Sequence, residues 1–213
     1  MDKPKLDHEG IQNMEKQERI NFINSLGGFK SICLIGTQDT KKQTNLAIFS
    51  SIVHVGSNPP LFGFISRPAA VERNTLENIL ETEYYTLNHI NEAIFKHAHQ
   101  TSARYEKSVS EFEKTGLTPE YKNNFFAPFV KESFVQMGLK FKEQINIESN
   151  GTVFIVGEVI EVFYPANCLL KDGFLDIEKA GTITCSGLDS YHKTVQLDRL
   201  SYAKPNKELI SIL

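Results

Sequence analysis

Between residues 137 and 147 the apolar side chains Met137, Leu139, Phe141, Ile145 and Ile147 all fall on one parity, the spacing of a β-strand with one buried face. A second long stretch follows at residues 152–163, rich in Val and Ile and interrupted by Gly157, which marks a bulge or a close backbone approach. Shorter strand-like runs lie upstream. Residues 31–37 read as one, and the polar run 38–44 returns the chain to a second at residues 46–55, so the two pair as a hairpin. The turn cluster at residues 56–60 then connects to residues 61–65 as another hairpin, and residues 83–90 alternate enough to add a further strand. Strands outnumber helices and no βαβ alternation appears, so the expected fold is mainly β, an antiparallel barrel with peripheral helices.

The chemistry concentrates between residues 45 and 81. After the strand at 61–65, Ser66 and Arg67 stop the run and Pro68 bars its continuation; Arg73-Asn74-Thr75 then opens a helix carrying Leu76, Ile79 and Leu80. Asn74 with Glu77, or Thr75 with Asn78, has the form of an N-terminal capping pair. The first N–H groups of a helix lack intrahelical acceptors and carry partial positive charge, which favours a bound anion there. Arg67 and Arg73 add planar, bidentate donors, and the Ser66 and Thr75 hydroxyls add neutral ones, a set suited to a phosphate monoester. Taken alone, this clasp also reads as an ordinary helix cap. Asn45, Ser50 and Ser51 shift the balance, because polar groups in or beside an apolar strand need partners. A flat heteroaromatic ligand with a polar edge and a phosphate, flavin mononucleotide (FMN), meets both needs.

At these residues the chain resembles the flavin reductase-like proteins of the FMN-binding split-barrel fold. The likeness lies in N-L-A-I-F-S-S from Asn45, N-P-P from Asn58, S-R-P from Ser66, R-N-T-L-E-N-I from Arg73 and Y-Y-T-L-N from Tyr84. It continues through T-S-A-R-Y-E-K from Thr101, E-F-E-K-T-G-L-T from Glu111, Ala127-Pro128 and G-T-V-F-I-V-G-E-V from Gly151, covering roughly residues 20–205. The resemblance implies an antiparallel split β-barrel and one flavin reductase-like domain over residues 1–213. It implies an FMN site formed by Asn45, Ser50, Ser51, Ser66, Arg67, Arg73, Asn74 and Thr75, with Ser102 from a segment that crosses over the barrel towards the flavin. It also implies a homodimer, for which the aromatic loop residues Phe125 and Phe126 are available, although core packing is the commoner use of such residues.

Bulk properties exclude several other classes. Lys and Arg total 23 against 26 Asp and Glu, a formal charge of -3, so no global field draws the chain to nucleic acid. No apolar run approaches the ~20 residues of a membrane-spanning helix, and the opening residues lack a secretory apolar core, so a cytoplasmic protein is expected. Cys33, Cys168 and Cys185 form no C-x-x-C pair and fit a reducing compartment; Cys33 reads as core, the other two as exposed. His89, His97 and His99 lack a completing Cys or carboxylate pattern, so they read as packing or surface histidines and no metal is expected.

The remaining segments are plainer. Residues 1–10 read as a loose tail, a helix containing Ile20 and Ile23 ends near Gly27-Gly28, and Tyr105, Val109 and Phe112 keep a helix-like spacing within residues 101–114. Residues 171–179 form a charged turn. Tyr191 and His192 sit in a Gly-containing loop that either reaches a neighbouring site or faces solvent.

No catalytic acid, base or nucleophile motif appears, as expected where a cofactor carries the chemistry. The favoured reading is an FMN-dependent oxidoreductase passing electrons from NADH or NADPH to a flavin or another acceptor. A flavoredoxin-like FMN electron-transfer protein is the alternative, and a non-flavin binding module on a barrel the third. No G-x-G-x-x-G follows a strand, so a nicotinamide would bind without a Rossmann half.

Overall fold

A computed structural model describes residues 3–67 and 74–213. In chain order the strands are β1 (Lys30–Ser31), β2 (Cys33–Gln38), β3 (Thr44–Phe49), β4 (Val53–Ser57), β5 (Pro60–Ser66), β6 (Tyr84–His89), β7 (Pro119–Glu120), β8 (Phe129–Val130), β9 (Gln136–Ile147), β10 (Thr152–Phe163), β11 (Thr184–Ser186) and β12 (Ser190–His192). The helices are α1 (His8–Asn13), α2 (Lys16–Leu26), α3 (Asn74–Thr82), α4 (Phe95–Gln100) and α5 (Glu111–Thr115).

Seven strands form one antiparallel sheet in the order β3-β2-β6-β9-β10-β5-β4. Its two edges, β3 and β4, are consecutive in the chain and joined only by Ser50, Ser51 and Ile52, so the sheet must curl until its edges nearly meet. The result is an open, split barrel with peripheral helices. At the seam Ser51 stands in for a missing backbone partner: its Oγ accepts from Ile65 N at 3.0 Å and donates to Ile65 O at 3.3 Å. The run 46–55, expected as one strand, is therefore two strands on opposite edges, broken where Ser50 and Ser51 turn the chain across the split.

The hairpins follow the expected pairings. β2 pairs β3 with Leu34 opposite Ile48, and β4 pairs β5 with Ser57 opposite Pro60, across a cis Asn58–Pro59 peptide. β9 and β10 run together along their length, with a register shift between Val156 and Gly157. Gly157 is required there, because a Cβ at this position would stand 2.2 Å from the Tyr85 hydroxyl.

Two apolar clusters lie on the two faces of the sheet. Ile35, Phe64, Tyr85, Leu87, Leu139 and Ile155 pack together with Ile79 of α3, while Leu34, Leu46, Ile90, Ala98, Phe112 and Ile183 form a second core beneath α4, α5 and β11. β2 is buried on both sides, which is why its sequence shows a continuous apolar run rather than alternation. Among the described residues no helix is long and apolar enough to cross a membrane.

Elsewhere the structure corrects the sequence reading. Helix α1 begins at His8, inside the expected tail, with Asp7 Oδ1 accepting from Gly10 N at 3.0 Å. Of residues 101–114 only the last four are helical, as part of α5 (Glu111–Thr115), and the rest is turn and extended loop. Phe125 is buried, with its ring centroid 5.3 Å from that of Phe129 and 5.6 Å from that of Tyr84, so it is not available to a partner. Cys168 and Cys185 are buried like Cys33, not exposed. The Tyr191–His192 loop is the second strand of a small hairpin, β11–β12, attached to β1.

Each histidine singled out from the sequence bonds within the fold. His97 Nδ1 lies 2.6 Å from Thr115 O, His99 Nδ1 lies 2.8 Å from Tyr191 Oη, and His89 Nδ1 lies 3.0 Å from Thr182 Oγ1. Loss of hydration lowers the His89 pKa to about 4, so the folded protein resists a proton that the unfolded chain takes up at the ordinary value near 6.5. Stability should fall as pH drops from about 6.5 to about 4, by up to about 3 kcal/mol, and His89→Gln should flatten that slope. Urea midpoints of both chains across this range measure it; equal slopes would remove His89 as the cause.

Candidate functional site

The polar clasp takes shape at the end of β5. Ser66 is buried opposite Val153 of β10, and the next residue, Arg67, is exposed and forms no ion pair with a described residue. Arg73 lies outside the described residues. The chain is described again at Asn74, within α3 (Asn74–Thr82).

Thr75, in the first turn, is held from the barrel side. Asn45 Nδ2 donates to Thr75 Oγ1 at 2.9 Å and to Thr37 Oγ1 at 3.3 Å, and Asn78 Nδ2 donates to the same Thr37 oxygen at 3.1 Å. All four residues are buried, so this is a satisfied internal network that fixes the head of α3 against β2 and β3. Beside it, Asn74 Oδ1 is buried and has no hydrogen-bond partner among the described residues. A buried acceptor without a donor costs roughly 1–3 kcal/mol, so the site has a place for a group carrying a hydroxyl.

A wall closes this region from the far side. Lys107 pairs with Glu77 of α3 at 2.5 Å, Thr44 Oγ1 lies 2.7 Å from Ser110 Oγ, and Glu111 Oε2 accepts from Leu46 N at 3.0 Å. Residues 107–111 thereby lie across edge strand β3 and the start of α3. Asn45, Asn74, Asn78, Gln43, Lys107 and Val109 line a narrow cleft between them. Burial pushes the Glu111 carboxyl above the ordinary carboxylate range, with the Leu46 hydrogen bond acting in the opposite sense.

The candidate residues thus fall into groups. Asn45, Asn74 and Thr75 come together at the head of α3; Ser51, Ser66 and Arg67 come together where β5 meets the seam, since Ser51 bonds Ile65, the neighbour of Ser66. Ser50 is half-buried beside Ser51 and has no hydrogen bond with a described residue. Ser102 is exposed and donates to His99 O at 2.7 Å, and no contact joins it to either group. Thr37, Lys107 and Glu111 were missed by the sequence reading. Asn78 carried a signal as the partner three residues after Thr75, and Glu111 as the acid beside Phe112 in an apolar spacing.

These groups fit FMN. Thr75 Oγ1 accepts from Asn45 and keeps its own proton to donate, Arg67 offers an exposed cation that forms no ion pair with a described residue, and Asn74 Oδ1 could accept from a hydroxyl such as the ribityl chain carries.

A family model described as flavin reductase like domain matches residues 29–175. The chain belongs to that family. Its FMN-binding split-barrel fold is the one expected from the sequence. A split-barrel structure of the flavin reductase type from Shewanella frigidimarina NCIMB 400 is 50% identical, with a TM-score of 0.91 over 94% of this chain and all of that one. Nitrilotriacetate monooxygenase component B from Bacillus cereus, at 18% identity and a TM-score of 0.81, covers 94% of this chain and 100% of its own, and shows the fold alone. The same holds for flavoredoxin of Desulfovibrio vulgaris (Miyazaki F), at 24% identity and a TM-score of 0.69 over 84% of this chain and 92% of that one. An Aquifex aeolicus protein is 29% identical over 120 residues, 55% of this chain, and the match spans only 61% of that relative's length.

Proposed function

We propose that this flavin reductase-like protein is an FMN-dependent oxidoreductase that takes electrons from NADH or NADPH and delivers them to a flavin or another acceptor, working as a homodimer. The observation that carries the reading is Asn74 Oδ1 at the head of α3, buried and without a hydrogen-bond partner among the described residues, beside the oriented Thr75 hydroxyl; Arg67, at the end of β5, is exposed and forms no ion pair with a described residue. In this family that combination suits a phosphorylated flavin.

The side chains divide the work. Arg67 and Arg73 hold the phosphate by charge-assisted hydrogen bonds, with Ser66, Thr75 and the first N–H groups of α3 as neutral donors. Asn74 accepts from a ribityl hydroxyl, and Asn45 positions Thr75 through the bond at 2.9 Å. Ser51 holds the seam, and the hydroxyl of Ser50 beside it would be offered to the flavin ring. Ser102 would reach the flavin only by leaving its present bond to His99 O at 2.7 Å. Bound FMN would supply the redox chemistry itself, accepting a hydride, two electrons and one proton, from the reduced nicotinamide and passing the electrons on. No side chain is assigned a proton transfer.

Anaerobic mixing of FMN-loaded protein with NADH or NADPH tests this. The flavin's visible absorbance should bleach, and excess free flavin should be reduced over many turnovers. Reduction by neither nucleotide, with reduction by a redox protein, would replace the enzyme with an electron carrier.

A further inference from the structure

Residues 193–213 leave the body of the protein as an arm that covers little of it. The arm folds back on itself as a short hairpin: Leu200 bridges Ser211, Ser201 N donates to Ile210 O at 2.9 Å, and Ile212 N donates to Arg199 O at 2.8 Å. Its apolar side chains are nevertheless in water. Val195 is 85% exposed, Leu197 94% and Tyr202 88%, and Leu209, Ile210 and Leu213 are exposed as well. An isolated two-stranded hairpin is marginally stable at best, and exposed apolar clusters of this kind mark interaction surfaces.

The root of the arm is fixed. Arg199 pairs with Asp172 at 2.6 Å and lies over the Phe174 ring, 4.0 Å from its centroid, while Gln196 N donates to Glu178 Oε2 at 2.8 Å. The apolar hairpin is therefore held out in a set direction. Beside the root is a groove of about 590 Å³ lined by Ala93, Phe134 and Ile183, with Glu92, Glu178 and Lys193 among its polar residues. Glu178 Oε1 is buried there and has no hydrogen-bond partner among the described residues.

We propose that the arm of one copy of this chain packs into this groove of a second copy, and the second copy's arm into the first. This rests on the homodimer reading above and names the element that makes the dimer. Three observations favour a second copy as the occupant. Residues 193–213 hold four of the chain's 23 Lys and Arg and two of its 26 Asp and Glu, so the arm is net basic while the remainder is net acidic. The unmatched Glu178 oxygen needs a donor, and the arm carries Tyr202, Lys204 and Lys207. Exchange about a two-fold axis brings roughly twenty arm residues from each copy, close to the 20–30 residues a side of a stable interface.

Sedimentation velocity on the full chain, on a Leu197→Asp/Tyr202→Asp variant and on Phe134→Asp tests the arm and the groove separately. The unaltered chain should sediment at twice its 24.1 kDa, and each variant should raise the dimer dissociation constant by about a hundredfold or more with an unchanged circular dichroism spectrum. Variants that dimerise as tightly as the unaltered chain would overturn the arm and leave the dimer standing. An unaltered chain that stays monomeric at all concentrations would overturn both, with FMN binding still to be judged on its own titration. Should a variant fail to fold, limited tryptic proteolysis of the unaltered chain decides: cleavage after Lys207 should be blocked in concentrated and not in dilute samples, and equal cleavage in both would overturn the arm.

Discussion

Gly36→Ala should destabilise the barrel by about 4 kcal/mol, lowering the melting temperature by roughly 10 °C. A Cβ at position 36 would lie 2.3 Å from the carbonyl oxygen of Pro128 and 2.6 Å from Thr86 Oγ1. Neither neighbour can move away freely. Thr86 Oγ1 donates to that same Pro128 carbonyl at 2.7 Å, and Gly36 itself sits on β2, flanked by β3 and β6. Forcing the strands apart combines an overpacking cost of about 1–3 kcal/mol with loss of a buried hydrogen bond of similar size. Against a total stability of about 5–15 kcal/mol this is a large fraction. Thermal melts followed by circular dichroism measure it, and a midpoint within a degree or two of the unaltered chain would show that the close approach is not as described.

The second large effect concerns flavin affinity. Arg67→Ala should weaken FMN binding about thirtyfold, or ~2 kcal/mol, because a charge-assisted contact to phosphate is lost from a partly desolvated site. Arg73→Ala should do the same, by its place in the sequence beside Asn74. Riboflavin lacks the phosphate, so both variants should bind it almost as the unaltered chain does. Ser51→Ala should instead weaken both flavins by a similar, smaller factor, since the Ser51 hydroxyl ties the seam to Ile65. If folded Arg67→Ala and Arg73→Ala both keep full FMN affinity, the clasp is only a helix cap.

The features legible in the sequence were those set by local periodicity. β9 and β10 were visible because each has an alternating or β-branched pattern with a solvent-facing side, and α3 because its cap residues and apolar spacing lie within a few positions. The split between β3 and β4 was not. Its sequence is a continuous apolar run interrupted by two serines, and only the long-range order of the sheet separates the two halves. The same limit explains the site. Asn45, Asn74 and Thr75 were found from local polarity, but the Thr37 bonds, the Lys107–Glu77 pair and the Glu111–Leu46 bond join residues many positions apart, which no period reveals. Cys168 and Cys185 looked exposed because their neighbours in sequence are polar, whereas their neighbours in space are apolar.

Titration of the purified, unaltered protein with FMN and, in parallel, with riboflavin, followed by quenching of flavin fluorescence, tests the central claim most directly. The clasp predicts that FMN binds at least a hundredfold more tightly than riboflavin, because the phosphate meets two arginines and a helix N-terminus together. Equal affinity for the two flavins, or binding of neither, would contradict it.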